Sequence, residues 1–509
     1  MSQEIELKLA LPRSALTALR RHPLVTGSTR LGNAKTLDNT YYDTPDLQLK
    51  AAGIAVRTRK QGREWLQTVK CAARSTGGLT QRPEWEQAYT EAFDFSAVDE
   101  PRVRKRLMRL QDTLVPVFTT QFRRETRVFE QNEGTVRILM MVDTGEILAG
   151  ERSEPICEVE LELEQGSPLD LLKLACALAE RLPLLPSDIS KAERGYRLHL
   201  GHVQQAMRAE PCVLDPGMNP VQAFSELAGN CIRQWQANAV GASSHDDPEF
   251  IHQLRVSQRR LRSLIRLFAP ALPDAFVQAW NEKLKTNAGS FGEARDLDVL
   301  YEEILAPVHG GNPDEEKALA RLREAILQAR DTARSQSAGQ LDAAAQGRLI
   351  LNLTTELLAL PSNNLIGAAD LGVFASLQLK RLRKKIRRRH TAARSLVPEQ
   401  LHALRIALKQ LRYGMEFFQS LMPASTVKPY LKALARAQNA LGFINDVDVA
   451  RGRLAACCGD DPVLNAAAGL ACGWHGPRYR KLSKQAVSAL EPLLWDKAPW
   501  RGLDRLRRK

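Results

Sequence analysis

Glu4-Ile5-Glu6-Leu7-Lys8-Leu9 places three charged and three aliphatic side chains at alternate positions. Successive side chains of a β-strand point to opposite faces, so Glu4, Glu6 and Lys8 share one side and Ile5, Leu7 and Leu9 the other. Two carboxylates about 7 Å apart along a strand can share a hard divalent cation, and an ammonium next in line can hold an anion that this cation also touches. A solvated face on an edge strand carries the same pattern. The segment by itself leaves both readings open.

Three further segments repeat the alternation. Ala55-Val56-Arg57-Thr58-Arg59 puts Arg57 and Arg59 on one face, and Arg82-Pro83-Glu84-Trp85-Glu86 does so with Arg82, Glu84 and Glu86. Glu158-Val159-Glu160-Leu161-Glu162-Leu163-Glu164 adds four carboxylates. In an open, half-buried sheet, like charges stacked across neighbouring strands repel. A closed barrel, apolar faces outward beneath covering helices and charges inward, gives a water-filled tunnel with both signs on its wall. Such a tunnel suits a polyanion together with a divalent metal.

At 509 residues the chain is long enough for two or three domains. Residues 1–200 hold 29 Lys+Arg against 28 Asp+Glu, leaving 43 against 30 for residues 201–509, so nearly all of the net charge of +14 belongs to the second part. That excess implies a polyanionic partner: nucleic acid, polyphosphate or an anionic membrane surface. The cysteines at 71, 157, 176, 212, 231, 457, 458 and 472 form no C-x-x-C pair, which excludes a recognisable zinc site or disulfide framework. The first strand begins without an apolar signal region, and no stretch approaches about 18 uninterrupted apolar residues. The cytoplasm is therefore the expected location, with no membrane partner.

Up to about Leu200, short alternating segments are separated by turn signals at Leu31-Gly32-Asn33, Asp43-Thr44-Pro45, Thr76-Gly77-Gly78, Asn132-Glu133-Gly134 and Asp143-Thr144-Gly145. Helices are expected over Pro12–His22 and Pro168–Arg181. Residues 1–200 thus read as an antiparallel barrel with covering helices. Pro211, Pro216, Gly217 and Pro220 mark a linker over residues 201–219. From residue 220 to 509 leucine- and alanine-rich segments, punctuated by Pro270, Pro273, Pro307, Pro313, Pro361, Pro398, Pro423 and Pro429, predict an all-α domain. The fold class is α+β in two domains.

The helical part contains a repeat. His252-Gln253-Leu254-Arg255-Val256 recurs as His402-Ala403-Leu404-Arg405-Ile406, and Arg295-Asp296-Leu297-Asp298-Val299 as Asn445-Asp446-Val447-Asp448-Val449, both at an offset of 150 residues. A duplicated helical bundle follows. His252, Arg255, Arg259 and Arg262 lie on one helix face, as do His402, Arg405, Lys409 and Arg412. Brought together by two-fold related helices, the stripes form a groove for successive phosphates; each alone also reads as a solvated face. Positions i and i+2 do not share a helix face, so Asp296/Asp298 and Asp446/Asp448 read better as an N-cap followed by a brace for the stripe than as metal pairs. The run from Lys380 to Arg389 has eight basic residues in ten. It reads as another wall of the polyanion surface or as a solvated helix binding nucleic acid non-specifically, and it lacks aromatic side chains for base stacking.

Further barrel candidates follow from strand parity and local context: Lys70, Arg123, Arg127, Asp143 and Lys191. Taken singly, each also reads as a surface charge. Neither a nucleophile elbow nor a P-loop is present, which excludes Ser-His-Asp catalysis of that type and nucleotide binding through a Gly-rich turn.

Glu4-x-Glu6-x-Lys8, Arg57-x-Arg59, Lys70, Glu84-x-Glu86, Asp143 and Glu158-x-Glu160-x-Glu162 resemble a CYTH domain, the fold of the triphosphate tunnel metalloenzymes. The His-x-x-Arg repeats with their Asp-x-Asp-Val partners resemble a CHAD domain, and the two in this order resemble bacterial inorganic triphosphatases of the CYTH-CHAD type. The resemblance implies an eight-stranded tunnel with Mg²⁺ or Mn²⁺ on Glu4, Glu6, Asp143, Glu158 and Glu160. It implies further tunnel acids at Glu162, Glu84 and Glu86, and phosphate contacts from Lys8, Arg57, Arg59, Lys70 and Lys191. Arg123 and Arg127 depart from the pattern, since Glu125 stands where a basic-x-basic pair ending at Arg127 is expected. On that ligand set we expect one metal on Glu4 and Glu6 and a second, held partly by Glu158 or Glu160, to activate water. The implied activity is cleavage of inorganic triphosphate to diphosphate and phosphate, with polyphosphate bound by the helical domain. A thiamine triphosphatase or adenylate cyclase of the same fold, and a non-catalytic polyphosphate or nucleic-acid scaffold, are the alternatives.

Overall fold

A computed structural model describes residues 3–72, 75–131, 134–244, 247–289, 292–338, 342–360 and 370–503. The alternating segments form strands β1 (Gln3–Ala10), β2 (Lys35–Asp43), β3 (Ile54–Gln61), β4 (Glu64–Cys71), β5 (Leu79–Ala88), β6 (Val115–Gln131), β7 (Val136–Ala149) and β8 (Arg152–Gln165). All neighbours pair antiparallel in the order β1-β8-β7-β6-β2-β3-β4-β5, and β5 returns to β1, closing an eight-stranded barrel. Closure leaves no free edge along these eight strands and turns the charged faces to the inside of the barrel. The register sets Lys8 opposite Glu160, Glu6 opposite Glu162, Glu4 opposite Arg82, Lys70 opposite Glu84 and Asp143 opposite both Glu158 and Arg124.

The outward apolar faces are buried under helices α1 (Leu16–Arg21), α2 (Pro101–Leu110), α3 (Pro168–Ala179) and α4 (Lys191–Leu200). Leu7, Leu9, Val159, Leu161, Met140 and Val142 pack on Leu171, Leu174 and Leu178 of α3. Val56 and Val69 pack with Leu107 and Leu110 of α2, and Phe118, Ile147 and Ile156 with Tyr196 of α4. The Asp143-Thr144-Gly145 signal is not a turn but the middle of β7. Gly145 is there because β6 crosses it closely: a Cβ would lie 2.0 Å from the Gln121 carbonyl oxygen and 2.5 Å from the Phe122 Cα. Residues 132 and 133 of another turn signal lie outside the described residues.

After α4 no helix or strand occurs until α5 (Pro220–Ser244). There follow α6 (Pro248–Phe268), α7 (Asp274–Gly289), α8 (Gly292–Val299), α9 (Pro313–Ala338), α10 (Ala343–Leu358), α11 (Leu371–Ala393), α12 (Pro398–Phe418), α13 (Ala424–Cys458) and α14 (Pro462–Ser488). The repeat offset of the sequence reappears in the boundaries. Pro248–Phe268 corresponds to Pro398–Phe418, the 3₁₀ turn Ala269–Ala271 to Gln419–Leu421, and the helix start Asp274 to Ala424. Pro361 lies outside the described residues, and Pro429 does not break a helix but is accommodated inside α13, at the loss of one intrahelical N–H bond.

The chain divides into two compact units, Met1–Arg208 with Ile232–Leu254 and Leu341–Leu360, and Ala209–Cys231 with Arg255–Gln340 and Pro361–Lys509. In the first unit α10 is part of the barrel's core: Leu351 is buried among the β1, β8 and α3 aliphatics. Gly347 lets α10 approach so closely that a Cβ would lie 1.8 Å from the Leu184 carbonyl oxygen. In the second unit the rings of Phe268 and Phe418, which occupy equivalent positions of the repeat, meet with centroids 5.6 Å apart. A separate core there joins Leu297, Leu300 and Ile304 to Leu319, Leu322, Val447 and Leu454.

Candidate active site

The barrel encloses a cavity of about 520 Å³ lined by side chains from all eight strands and the start of α4. It brings together Glu4, Glu6, Lys8, Arg57, Arg59, Lys70, Glu84, Glu86, Glu160, Glu162 and Lys191, as strand parity requires. The cavity is an ion-pair lattice. On one side Lys70 Nζ stands 2.9 Å from both Glu4 and Glu84, and Arg82 donates to Glu4 at 3.1 Å and to Glu6 at 2.6 Å. Next to it Arg57 lies 3.9 Å from Glu84, while Arg59 lies 3.8 Å from Glu86 and donates to Asn39 at 2.9 Å.

Where β1 adjoins β8, and β8 adjoins β7, the lattice continues into a buried acidic cluster. Asp143 on β7 and Glu158 and Glu160 on β8 present carboxylate oxygens that all lie within 4.8 Å of one another. Lys191 Nζ donates to all three, at 2.7 Å to Asp143 and 3.1 Å to Glu160. Its position follows from a local signal: Ser190 caps α4 by accepting the Glu193 N–H, which makes Lys191 the first helical residue and directs it into the barrel. Lys8 stands 3.7 Å from both Glu6 and Glu160. Three anionic oxygen donors at this spacing fit a hard divalent cation such as Mg²⁺ or Mn²⁺. Glu4 and Glu6 are not in this group; their partners are Lys70 and Arg82.

These contacts determine the protonation of the lattice. Burial opposes the charge on Lys191, but Asp143, Glu158 and Glu160 outweigh it and hold the ammonium well above its usual range. Burial likewise opposes the Arg124 charge and is overcome by Asp143 and Glu160. Glu160, despite burial, is held well below the carboxylate range by Lys191 and Arg124. Burial, reinforced by Glu4, pushes Glu162 up to about 7. Burial together with Arg57 and Arg124 pushes Arg59 down to about 10.

Two expected residues stand off the tunnel. Arg123 has a largely exposed side chain 3.9 Å from Glu125, and Arg127 donates to Ser28 at 2.7 Å. The inward position belongs to Arg124, which grips Asp143 through Nε at 2.7 Å and Nη2 at 2.6 Å and reaches Glu160 at 2.6 Å. Even-numbered residues of β6 face inward at this point, so the odd-parity reading that selected Arg123 and Arg127 was one residue out of phase. Arg82 was placed on the charged face by its alternation but not among the candidates; its Pro83 neighbour and opposite-sign partners disguised a cation that ties two acids of β1.

In the helical part, Arg255, Arg259, Arg405 and Lys409 are electrostatically coupled. Burial, with Arg259 and Arg405 next in importance, pushes Lys409 down to about 7. Arg259 donates to Tyr413 at 2.9 Å, Arg255 to the Gly292 carbonyl at 3.2 Å, and His402 meets Asn445 at 2.5 Å. Arg412 is drawn away to Glu416 at 2.8 Å, and Arg262 lies beside Arg266 and Glu282. His252 lies on α6 ahead of these residues, half-buried. None of the four repeat aspartates is an N-cap, because all lie inside α8 or α13. Asp446, the first of its pair, braces Arg405 at 3.9 Å. Asp298 instead accepts from Arg334 at 2.8 Å, and Asp448 from Tyr479 at 3.0 Å.

Family models match a CYTH domain over residues 2–196 and a CHAD domain over residues 226–455. An inorganic triphosphatase of Haemophilus influenzae is 32% identical over 199 residues, which is 39% of this chain and 55% of that relative. The chain thus spans about half the length of that curated relative. The crystal structure of the CHAD domain from the plant Ricinus communis matches at 28% identity with a TM-score of 0.51, covering 58% of this chain and 99% of that one. A Hippeastrum protein described as having a dominant triphosphatase activity matches at 20% identity and a TM-score of 0.29, over 39% of this chain and 97% of that one. The tunnel barrel therefore matches the CYTH domain and the helical part the CHAD domain, the two following one another in one polypeptide.

Proposed function

We propose that the tunnel hydrolyses inorganic triphosphate to diphosphate and phosphate with a bound Mg²⁺ or Mn²⁺, and that the helical domain binds inorganic polyphosphate. The observation that carries the first reading is one cavity of about 520 Å³ lined by Arg57, Arg59, Lys70 and Arg82 and by Glu160, a member of the buried acidic cluster. Asp143, Glu158 and Glu160 would hold the cation, which when bound neutralises phosphate oxygens and lowers the pKa of a water. Arg57, Arg59, Lys70 and Arg82 exchange their carboxylate partners for phosphate oxygens and orient the chain by forked and point-charge hydrogen bonds. Lys8 and Lys191, between the acids and the open cavity, neutralise charge on the transferred phosphoryl group. The water oxygen bonds to the terminal phosphorus as the anhydride P–O bond breaks, diphosphate leaves with the bonding pair, and the water's proton passes to a phosphate oxygen or to solvent.

The aromatic rings of the lining favour an inorganic substrate over thiamine triphosphate or ATP. Tyr41 is stacked on Phe118 at 4.5 Å, Tyr196 packs edge-on against the same ring at 5.2 Å, and Lys191 covers Phe122 at 4.9 Å. Each is engaged by a neighbour, which leaves little for an organic ring. Phosphate and diphosphate release from triphosphate, thiamine triphosphate, ATP and long polyphosphate, with and without each metal, tests the reading. Triphosphate is expected to be preferred, with turnover lost on chelation and reduced on the order of 100-fold or more in Glu160→Gln. Turnover that survives both changes would sink it, and an inert chain would support the scaffold.

The polyphosphate reading rests on the convergence of Arg255, Arg259, Arg405 and Lys409, whose mutual repulsion an anion relieves. Charge reversal at Arg255 and Arg405 is expected to abolish polyphosphate retention while leaving triphosphate turnover in place.

A further inference from the structure

The basic run from Lys380 to Arg389 has no aromatic residue in sequence, but the fold supplies one. Residues 380–389 belong to α11, and the helix Glu491–Trp495 and the segment after it are fastened to that helix. Arg387 donates to the Leu494 carbonyl at 2.7 Å and Arg383 to that of Asp496. Trp500 is buried against Tyr430 at 5.8 Å, with the Arg383 guanidinium 5.7 Å from its ring. The result is a groove lined by Lys380, Arg383, Lys384, Arg387, Lys497 and Arg501, with Asp496 the one acid among the described lining residues. The four α11 cations lie at i, i+3, i+4 and i+7, one continuous stripe.

Trp495 stands in this groove. The residue is 59% exposed, and the Arg387 guanidinium lies 4.4 Å from its ring centroid. An indole with a guanidinium over its ring, more than half exposed beside a row of cations, offers a flat apolar surface that an inorganic polyanion does not engage. It suits a ligand with a flat apolar face next to a phosphate. Bases stack on such platforms without regard to sequence while lysines and arginines track the backbone.

We propose that the groove between α11 and residues 495–501 binds single-stranded nucleic acid, its phosphates on the α11 stripe, Lys497 and Arg501 and one base stacked on Trp495. Binding is sequence-tolerant and independent of the tunnel. A duplex offers phosphates but no unpaired base, so it binds by the cations alone.

The test uses the full-length chain and labelled oligo(dT) and oligo(U) of about 15 nucleotides, a duplex of equal length, and polyphosphate, followed by anisotropy and tryptophan fluorescence. Single strands are expected to bind with quenching and to lose affinity about tenfold in Trp495→Ala. Trp495→Phe, which keeps a ring, retains binding within about threefold, and polyphosphate affinity is unchanged in both variants. Lys384→Glu with Lys497→Glu weakens single-strand binding and flattens its salt dependence. Absence of single-strand binding overturns the proposal. So does single-strand affinity that is indifferent to Trp495→Ala, or a duplex that binds as tightly with equal quenching; either reduces the groove to a general polyanion surface.

Discussion

Arg124 is the side chain on which the tunnel's acidic cluster depends. Asp143 is fully buried and Glu160 nearly so, and without Arg124 their charges share Lys191 with Glu158, with Lys8 farther off at 3.7 Å from Glu160. Removing one partner of a buried ion pair costs more than the pair is worth, because the remaining charge stays desolvated. Arg124→Met is therefore expected to lower the unfolding free energy by about 3 kcal/mol, whereas Arg123→Met, largely exposed beside Glu125, should change it by no more than about 0.5 kcal/mol. Urea denaturation of the two variants measures this, and equal losses would mean that the tunnel does not distinguish them. The adjacent Arg123-Arg124 pair offers either strand parity, and nothing local to the sequence selects between them. Long-range pairing selects, by setting Arg124 opposite Asp143.

At the scale of elements, α6 and α12 bring basic side chains of both repeats into one electrostatic cluster. Lys409 faces Arg255, Arg259 and Arg405, with Asp446 the nearby acid, and its folded value of about 7 lies below the ordinary lysine value. Between about pH 7 and pH 10 the folded chain thus holds fewer protons than the unfolded one. Its contribution to stability rises with pH across that window and is level below it. An anion bound among these cations favours the ammonium, so binding above pH 7 takes up a proton. Polyphosphate affinity is expected to fall as pH rises from about 7 to about 9, with a shallower fall in Lys409→Met. Titration calorimetry in buffers of different ionisation enthalpy reads the proton uptake directly, and uptake unchanged by Lys409→Met would refute the assignment. The repeat itself was legible, because 150 residues separate both the His-x-x-Arg pairs and the helix boundaries. Which stripe members share the cluster was not: Arg412 turns to Glu416, and the braces come from the first rather than the second aspartate in the later copy.

At the scale of the molecule, the barrel's core is not confined to the residues that form its strands. Leu351 of α10 is fully buried among the aliphatics of β1, β8 and α3, and Trp235 of α5 donates to Gln346 at 2.8 Å within the same unit. A fragment Met1–Arg208 uncovers that surface. Losing a buried leucine costs about 3 kcal/mol, so the fragment is expected to melt about 10 °C below the barrel transition of the full chain. Equal melting temperatures, by near-UV circular dichroism, would show that α10 contributes nothing to the barrel. By itself the sequence determined the charged faces of β1, β3, β5 and β8, the helical second half and its duplication, because side-chain periodicity is a local property of the backbone. Only the tertiary structure decided that Arg124 points inward, that Asp143 joins Glu158 and Glu160 while Glu4 and Glu6 pair with Lys70 and Arg82, that α10 completes the barrel core, and that Trp495 stands beside the α11 cations. Each of these joins residues distant in the chain, and the register and close packing that bring them together are set by the whole fold.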